Sequence, residues 1–202
     1  MHIICLDLEG VLVPEIWINV AEHTGIEDLR LTTRDISDYD KLMKYRIDIL
    51  EKHNLKLKDI QRVIGEMDPL PGACEFLDSL REKAQVIILS DTFTQFAKPL
   101  MRKLGWPTLF CNSLVIDAQD NIIYYTLRQN DGKKHAVGAL RSLNFSIIAC
   151  GDSYNDVTML QSADNGIFFR PPEKILEEFP QFPVVQSHAD LLAEIDKLLD
   201  PV

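Results

Sequence analysis

Short apolar runs alternate with helix-patterned segments along this chain, and three of the runs stop abruptly at chemically capable residues. Ile3-Ile4-Cys5-Leu6 gives way to Asp7-Leu8-Glu9-Gly10-Val11, and Val86-Ile87-Ile88-Leu89 to Ser90-Asp91-Thr92. Ser146-Ile147-Ile148-Ala149-Cys150 gives way to Gly151-Asp152-Ser153-Tyr154-Asn155-Asp156. Continuous apolar runs of this length suit strands buried on both faces, as parallel sheets provide. With helices between them, the strands are expected to form a doubly wound parallel α/β sheet. Right-handed crossovers bring the carboxyl ends of such strands to one edge, where ligands bind. Asp7, Ser90 and Asp152 are therefore expected to meet, although they lie far apart in the chain.

The intervening segments complete the frame. Residues 13–69 hold three helical patterns: one that begins at Pro14-Glu15, carries Ile16 and Val20 and stops at His23-Thr24-Gly25, then Asp40 to His53, and Leu57 to Ile64. No strand pattern appears among them, and Pro69 and Pro71-Gly72 punctuate their end. This reads as a small helical insertion after the first strand, with residues 1–12 and 70–202 forming the core. Helices are expected over 73–83, 93–104, 133–143 and 188–199. Leu109-Phe110-Cys111 reads as a third strand, and 113–127 as a separate β-hairpin around Gln119-Asp120-Asn121. Ile167-Phe168-Phe169 and Val184-Val185 read as later strands.

Composition narrows the function. A formal net charge of -10 without a basic block makes nucleic acid and anionic membrane poor partners. No apolar run reaches membrane-spanning length, and Asp7 and Glu9 interrupt any leader-like start. Cys5, Cys74, Cys111 and Cys150 lack zinc or disulfide-motif spacing, so reduced thiols and a cytoplasmic location are expected. An anion site in so acidic a chain needs its own positive charge, and Lys133 at a helix start after Asp131-Gly132 supplies it. Lys134 is its rival. Carboxylate oxygens at the strand ends suit a hard cation such as Mg²⁺ better than zinc. A carboxylate-metal cluster facing a hydroxyl and a lysine describes phosphoryl transfer. Read as residues alone, Asp91 and Thr92 also serve as a helix cap.

Asp7-Leu8-Glu9-Gly10-Val11, Ser90, Lys133 and Gly151-Asp152-Ser153-Tyr154-Asn155-Asp156 resemble, in order, the four motifs of the haloacid dehalogenase superfamily. The helical insertion after the first motif resembles the cap of its phosphoserine phosphatase group, and the chain is most similar to bacterial members that also pass the phosphoryl group to homoserine. The resemblance implies a Rossmann-like core, Mg²⁺, and an aspartyl-phosphate enzyme acting on phosphoserine, with water and homoserine as acceptors. It implies Asp7 as nucleophile, Glu9 as proton donor and acceptor, and Lys133 as the lysine that offsets charge. It implies Mg²⁺ held by Asp7, Glu9 through its backbone, and Asp152, with Asp156 in support. Glu15, Arg46, Ser90, Asp91, Lys133 and Asn155 are implied as substrate contacts, Glu15 and Arg46 holding the amino and carboxylate groups. Two positions depart from the usual pattern: Glu9 replaces an aspartate and Val11 a threonine. Asp-x-Glu-Gly also resembles the enolase-phosphatases, which keeps another small phosphorylated metabolite open as substrate.

Overall fold

The computed structural model describes residues 1–33, 35–36 and 38–199; Arg34, Ser37 and residues 200–202, which fall within the expected insertion and core, lie outside the described residues. Its sheet runs in the order β4-β3-β2-β1-β5-β6-β7. The strands are β1 His2–Leu6, β2 Gln85–Phe93, β3 Thr108–Ile116, β4 Ile122–Thr126, β5 Ser146–Gly151, β6 Asn165–Phe169 and β7 Val184–Val185. All pairings are parallel except β3 with β4. The chain builds outward from β1 to β4 on one side, then crosses back to place β5 against the other flank of β1. The strand order therefore reverses at β1, and the crevice of a doubly wound sheet opens at such a reversal.

Alternation along β1 sorts its side chains into two layers. Ile4 and Leu6 join the larger apolar cluster with Ile88, Ile148, Cys150 and Ile167. Ile3 and Cys5 face the smaller one with Leu89, Ile147, Ala149 and Phe168. Helices α4 Ala73–Arg81, α5 Thr94–Lys103 and α9 His188–Leu198 supply the first layer through Phe76, Phe96 and Leu191. Helices α6 Gly132–Ser142, α7 Val157–Ser162 and α8 Glu173–Glu178 supply the second through Val137, Leu160 and Ile175. Helices on both faces make this the doubly wound α/β fold expected from the sequence.

The insertion contains α1 Ile16–Thr24, α2 Tyr39–Lys52 and α3 Leu57–Glu66, with a 3₁₀ turn at Glu27–Arg30. Gly25 (φ 68°) ends α1 in the left-handed conformation that glycine adopts without a Cβ clash. The Asp38 carboxylate begins α2 by accepting the Lys41 N–H at 3.1 Å. Leu42, Met43, Arg46, Ile49 and Leu50 form the buried stripe of α2 at helical spacing. Helices this short do not persist alone in water. Burial of Ile16, Met43, Leu50 and Ile60 in the larger cluster, at about 2 kcal/mol each, holds them in place.

One expectation is corrected. Leu109 to Cys111 and the first arm of the hairpin form one strand, β3, whose beginning pairs with β2 and whose end pairs with β4. The polar pair Asn112-Ser113 looks like a break in sequence. Asn112 is nevertheless buried, because its side chain donates to the Asp91 carbonyl and accepts from the Arg128 N–H. The hairpin also grips the insertion. Tyr125 donates to Asp40 at 2.8 Å, Leu57 N–H reaches the Asp120 carbonyl at 3.0 Å, and Lys56 bonds Asn121.

Candidate active site

Asp7 follows the last residue of β1, and its N–H continues the parallel pairing by donating to the Cys150 carbonyl at 2.9 Å. Its carboxylate is buried, with Oδ1 held by Leu8 N–H at 2.7 Å and by the Lys133 ammonium at 2.9 Å. Lys133, in the first turn of α6, is equally buried and also meets Asp156 at 2.7 Å and Asp91 at 3.8 Å. Lys134 points away, half exposed and 4.0 Å from Asp131. Asp156 Oδ2 accepts the backbone N–H groups of Asp152 and Ser153 at 2.9 and 3.1 Å. Both Asp156 oxygens are thus engaged, which fixes the loop after β5.

Carboxylate oxygens of Asp7, Asp152 and Asp156 lie within 4.8 Å of one another. Burial, then the Asp156 charge, drives the Asp7 carboxyl well above the usual range, against the pull of Lys133. The same two causes push Asp152 up to about 7. For Lys133 burial works against the charge, but Asp156, Asp7 and Asp91 outweigh it and hold the ammonium firmly protonated. One buried lysine leaves this cluster short of positive charge. Its all-oxygen donor set fits a hard divalent cation. The backbone is shaped to match: a Cβ on Gly10 would stand 2.3 Å from Asp152 Oδ2, and Gly10 carries φ 77°. Only glycine allows the loop after β1 so close to that carboxylate.

Glu9 lies outside the carboxylate cluster. Its Oε2 accepts the Ile16 N–H at 2.8 Å, at the N-terminus of α1. Burial, with the Glu15 charge second, lifts its carboxyl to about 8 despite that bond. Glu15, just before α1, is partly buried, and its side chain caps nothing. Arg46 is 6 % exposed, stacks 4.5 Å from the centre of the Trp17 ring and donates to the Leu31 carbonyl at 2.7 Å. Its Nε–H is buried without a partner. An unmet donor on a buried guanidinium carries a desolvation cost that a bound anion would remove. Burial lowers the Arg46 pKa to about 10, with the neighbouring Tyr39, Glu9 and Glu15 acting the other way.

Ser90 is buried at the end of the straight part of β2, its Oγ accepting the Thr92 N–H at 3.2 Å. The Asp91 carboxylate accepts from Asn155 Nδ2 at 3.0 Å, so it braces the loop after β5 and does not cap α5. Sequence reasoning missed Tyr39, whose hydroxyl donates to the Asp91 carbonyl at 3.2 Å, as well as Trp17 and Asn112. None belongs to a local motif. The only signal was a polar or aromatic residue within an otherwise aliphatic pattern.

A buried aspartate at the β1 reversal, a lysine bonded to it and an acidic loop after β5 make up the candidate site. The chain belongs to the haloacid dehalogenase-like hydrolases, whose family model matches residues 1–164. It is 59% identical over 197 residues to phosphoserine phosphatase ThrH of Pseudomonas aeruginosa, covering 98% of this chain and 96% of that one. It is equally similar, at 59% over 98% of this chain and 83% of the other, to a phosphoserine phosphatase of Pseudomonas syringae pv. tomato. Among solved structures, a phospho-aspartyl intermediate analogue of phosphoserine phosphatase shares the fold with a TM-score of 0.77 at 19% identity, covering 98% of both chains.

Proposed function

We propose that this protein is an Mg²⁺-dependent phosphoserine phosphatase that works through an aspartyl phosphate on Asp7 and also transfers the phosphoryl group to homoserine. The observation that carries this reading is the 59% identity, over nearly the whole of both chains, to a phosphoserine phosphatase named ThrH. We assign residues 13–69 as the specificity cap and residues 1–12 and 70–202 as the catalytic core. The unpaired cysteines fit a reducing cytoplasm.

Asp7 Oδ1 is held by Leu8 and Lys133, which leaves Oδ2 to attack phosphorus. The new bond joins Asp7 to phosphorus as the bond to the seryl oxygen breaks. Glu9, lifted to about 8, carries a proton at neutral pH and gives it to that oxygen. It then takes a proton from water, or from the homoserine hydroxyl, as the acceptor oxygen bonds to phosphorus and the Asp7–phosphorus bond breaks to free the carboxylate. Ser90 and Lys133 face the transferred oxygens. Mg²⁺, held by Asp7, Asp152 and the Glu9 backbone, would supply positive charge to the phosphoryl group. Asp156 and Asn155 keep Asp152 and Asp91 in place through the bonds described above. Arg46 offers its Nε–H to the substrate carboxylate, and Glu15 its free carboxylate to the ammonium group. Homoserine carries the same head, so the cap would hold its hydroxyl near the phosphoaspartate in preference to a diffusing alcohol.

A panel of phosphoserine, an aryl phosphate and an enol phosphate, with and without Mg²⁺, tests the reading. Phosphoserine is expected to be preferred and all turnover to need the metal. Preference for the enol phosphate would move the enzyme to the group its Asp-x-Glu-Gly motif also resembles. Labelled phosphoserine incubated with homoserine is expected to yield labelled phosphohomoserine; label found only in inorganic phosphate would remove the transferase half alone.

A further inference from the structure

His188 is a buried ionisable side chain with no part in the chemistry above. It begins α9, is 5 % exposed, and lies tilted between Phe76 and Phe169, at centroid distances of 5.4 and 4.8 Å. An apolar ring would fill such a slot equally well. The two ring nitrogens, however, both meet backbone carbonyls: Nε2 lies 2.8 Å from Val11 O and Nδ1 3.1 Å from Pro71 O. Carbonyl oxygens only accept, so a neutral ring, with its single N–H, donates to one of the two, and as the Nε2–H tautomer it donates to Val11, the nearer.

Those two carbonyls mark the places where the chain leaves the sheet for the helical insertion and returns from it. Beside them, Leu70 N–H donates to the Leu12 carbonyl at 2.9 Å, so the two crossings are already bonded to one another. The outgoing one continues directly into the site. Gly10 N–H donates to Val13 O at 2.8 Å, Val13 N–H to Leu8 O at 3.0 Å, and Leu8 N–H to the Asp7 carboxylate. A shift at Val11 is therefore passed to Glu9 and Asp7 within one tight turn.

We propose that His188 is a positioning residue, which pins the outgoing crossing at Val11, beside the Leu12–Leu70 bond to the returning one, and so sets where Glu15 and Arg46 of the insertion stand relative to Asp7 and Glu9. The proposal rests on the reading that Glu15 and Arg46 bind the amino-acid head of the substrate. A substrate that spans both parts needs the two registered; one that touches only the core does not. Small misplacement of a substrate costs up to roughly 100-fold in rate.

The test is His188→Phe, which keeps a ring between Phe76 and Phe169 and removes the N–H donor. Its kcat/KM for phosphoserine is expected to fall roughly 10- to 100-fold, chiefly through KM, while that for an aryl phosphate changes by about 3-fold or less. His188→Gln, which restores an N–H donor, is expected to recover part of the loss. Equal losses on both substrates, or no loss, would overturn the proposal. If the wild-type enzyme shows no preference for phosphoserine, the functional reading fails instead, and that is seen before any variant is made. Should His188→Phe not fold, nitrogen NMR of the wild-type protein decides. A slowly exchanging Nε2–H coupled to the Val11 carbonyl is expected, and a bare Nε2 at that position would overturn the proposal.

Discussion

Asp7→Asn replaces one carboxylate oxygen with an amide and keeps the side-chain volume. Activity on phosphoserine is expected to fall by roughly 10³-fold or more, the scale seen when a nucleophile is lost. Stability should not suffer. Burial and the Asp156 charge already disfavour the ionised form of Asp7, so a neutral isostere removes an electrostatic strain. Steady-state kinetics and thermal melting check both halves, and a large loss of melting temperature would show that Asp7 is mainly structural. Arg46→Lys keeps a cation but loses the planar fork and the bond to Leu31. KM for phosphoserine is expected to rise about tenfold or more, with little change for an aryl phosphate. A parallel rise for both would assign Arg46 to the fold. At this scale the sequence was legible where a polar residue ends an apolar run: Asp7, Ser90 and Asp152 stand at or near the ends of β1, β2 and β5, as expected. Tyr39 could not, because its partner Asp91 lies 52 residues away and only folding brings them together. The bond from Ile16 N–H to Glu9 was hidden for a different reason. An extended chain suggests that Asp7 and Glu9 share a side, whereas the turn at Gly10 swings back towards α1.

Among the elements, α2 carries Arg46 and begins on a single exposed carboxylate. Asp38→Ala removes the acceptor for the Lys41 N–H and is expected to cost about 1 kcal/mol. Urea unfolding followed by helix circular dichroism measures it; an unchanged midpoint would mean that Tyr39 and Asp40, held against the hairpin, fix the start of α2 unaided. The helices were readable where apolar residues recur at helical spacing, as Leu42, Met43, Ile49 and Leu50 do in α2. Strand β3 was not. Its two halves obey different pairing rules, parallel to β2 and antiparallel to β4, and a buried asparagine sits at the junction. A polar residue in mid-strand reads as a loop unless its hydrogen-bond partners, here the Asp91 carbonyl and the Arg128 N–H, are already known.

For the whole molecule, the site places a standing electrostatic load on the fold. Glu9 and Asp152 are lifted from ordinary values near 4.5 and 3.8 to about 8 and 7. Between those limits the folded protein binds more protons than the unfolded chain, so stability falls as pH rises. Without divalent cations, the contribution of these groups is fully present below about pH 4 and is lost as pH climbs through 7 to 8. Mg²⁺ favours the ionised carboxylates, so it is expected to raise the melting temperature more at pH 8 than at pH 5.5. Calorimetry on the wild type and Glu9→Gln, with and without Mg²⁺, isolates the effect; an equal pH slope in both proteins would contradict it. The bond between His188 and Val11 also has a consequence in time. It closes across 177 residues, from the last described helix to the first turn of the site. During synthesis the chain emerges N-terminus first, so the residues of β1 to β6, with Asp7, Lys133 and Asp152, are made before residue 188. Until then the Val11 carbonyl lacks its His188 partner, so the contact that locks the turn beside the acidic cluster is among the last the chain can form.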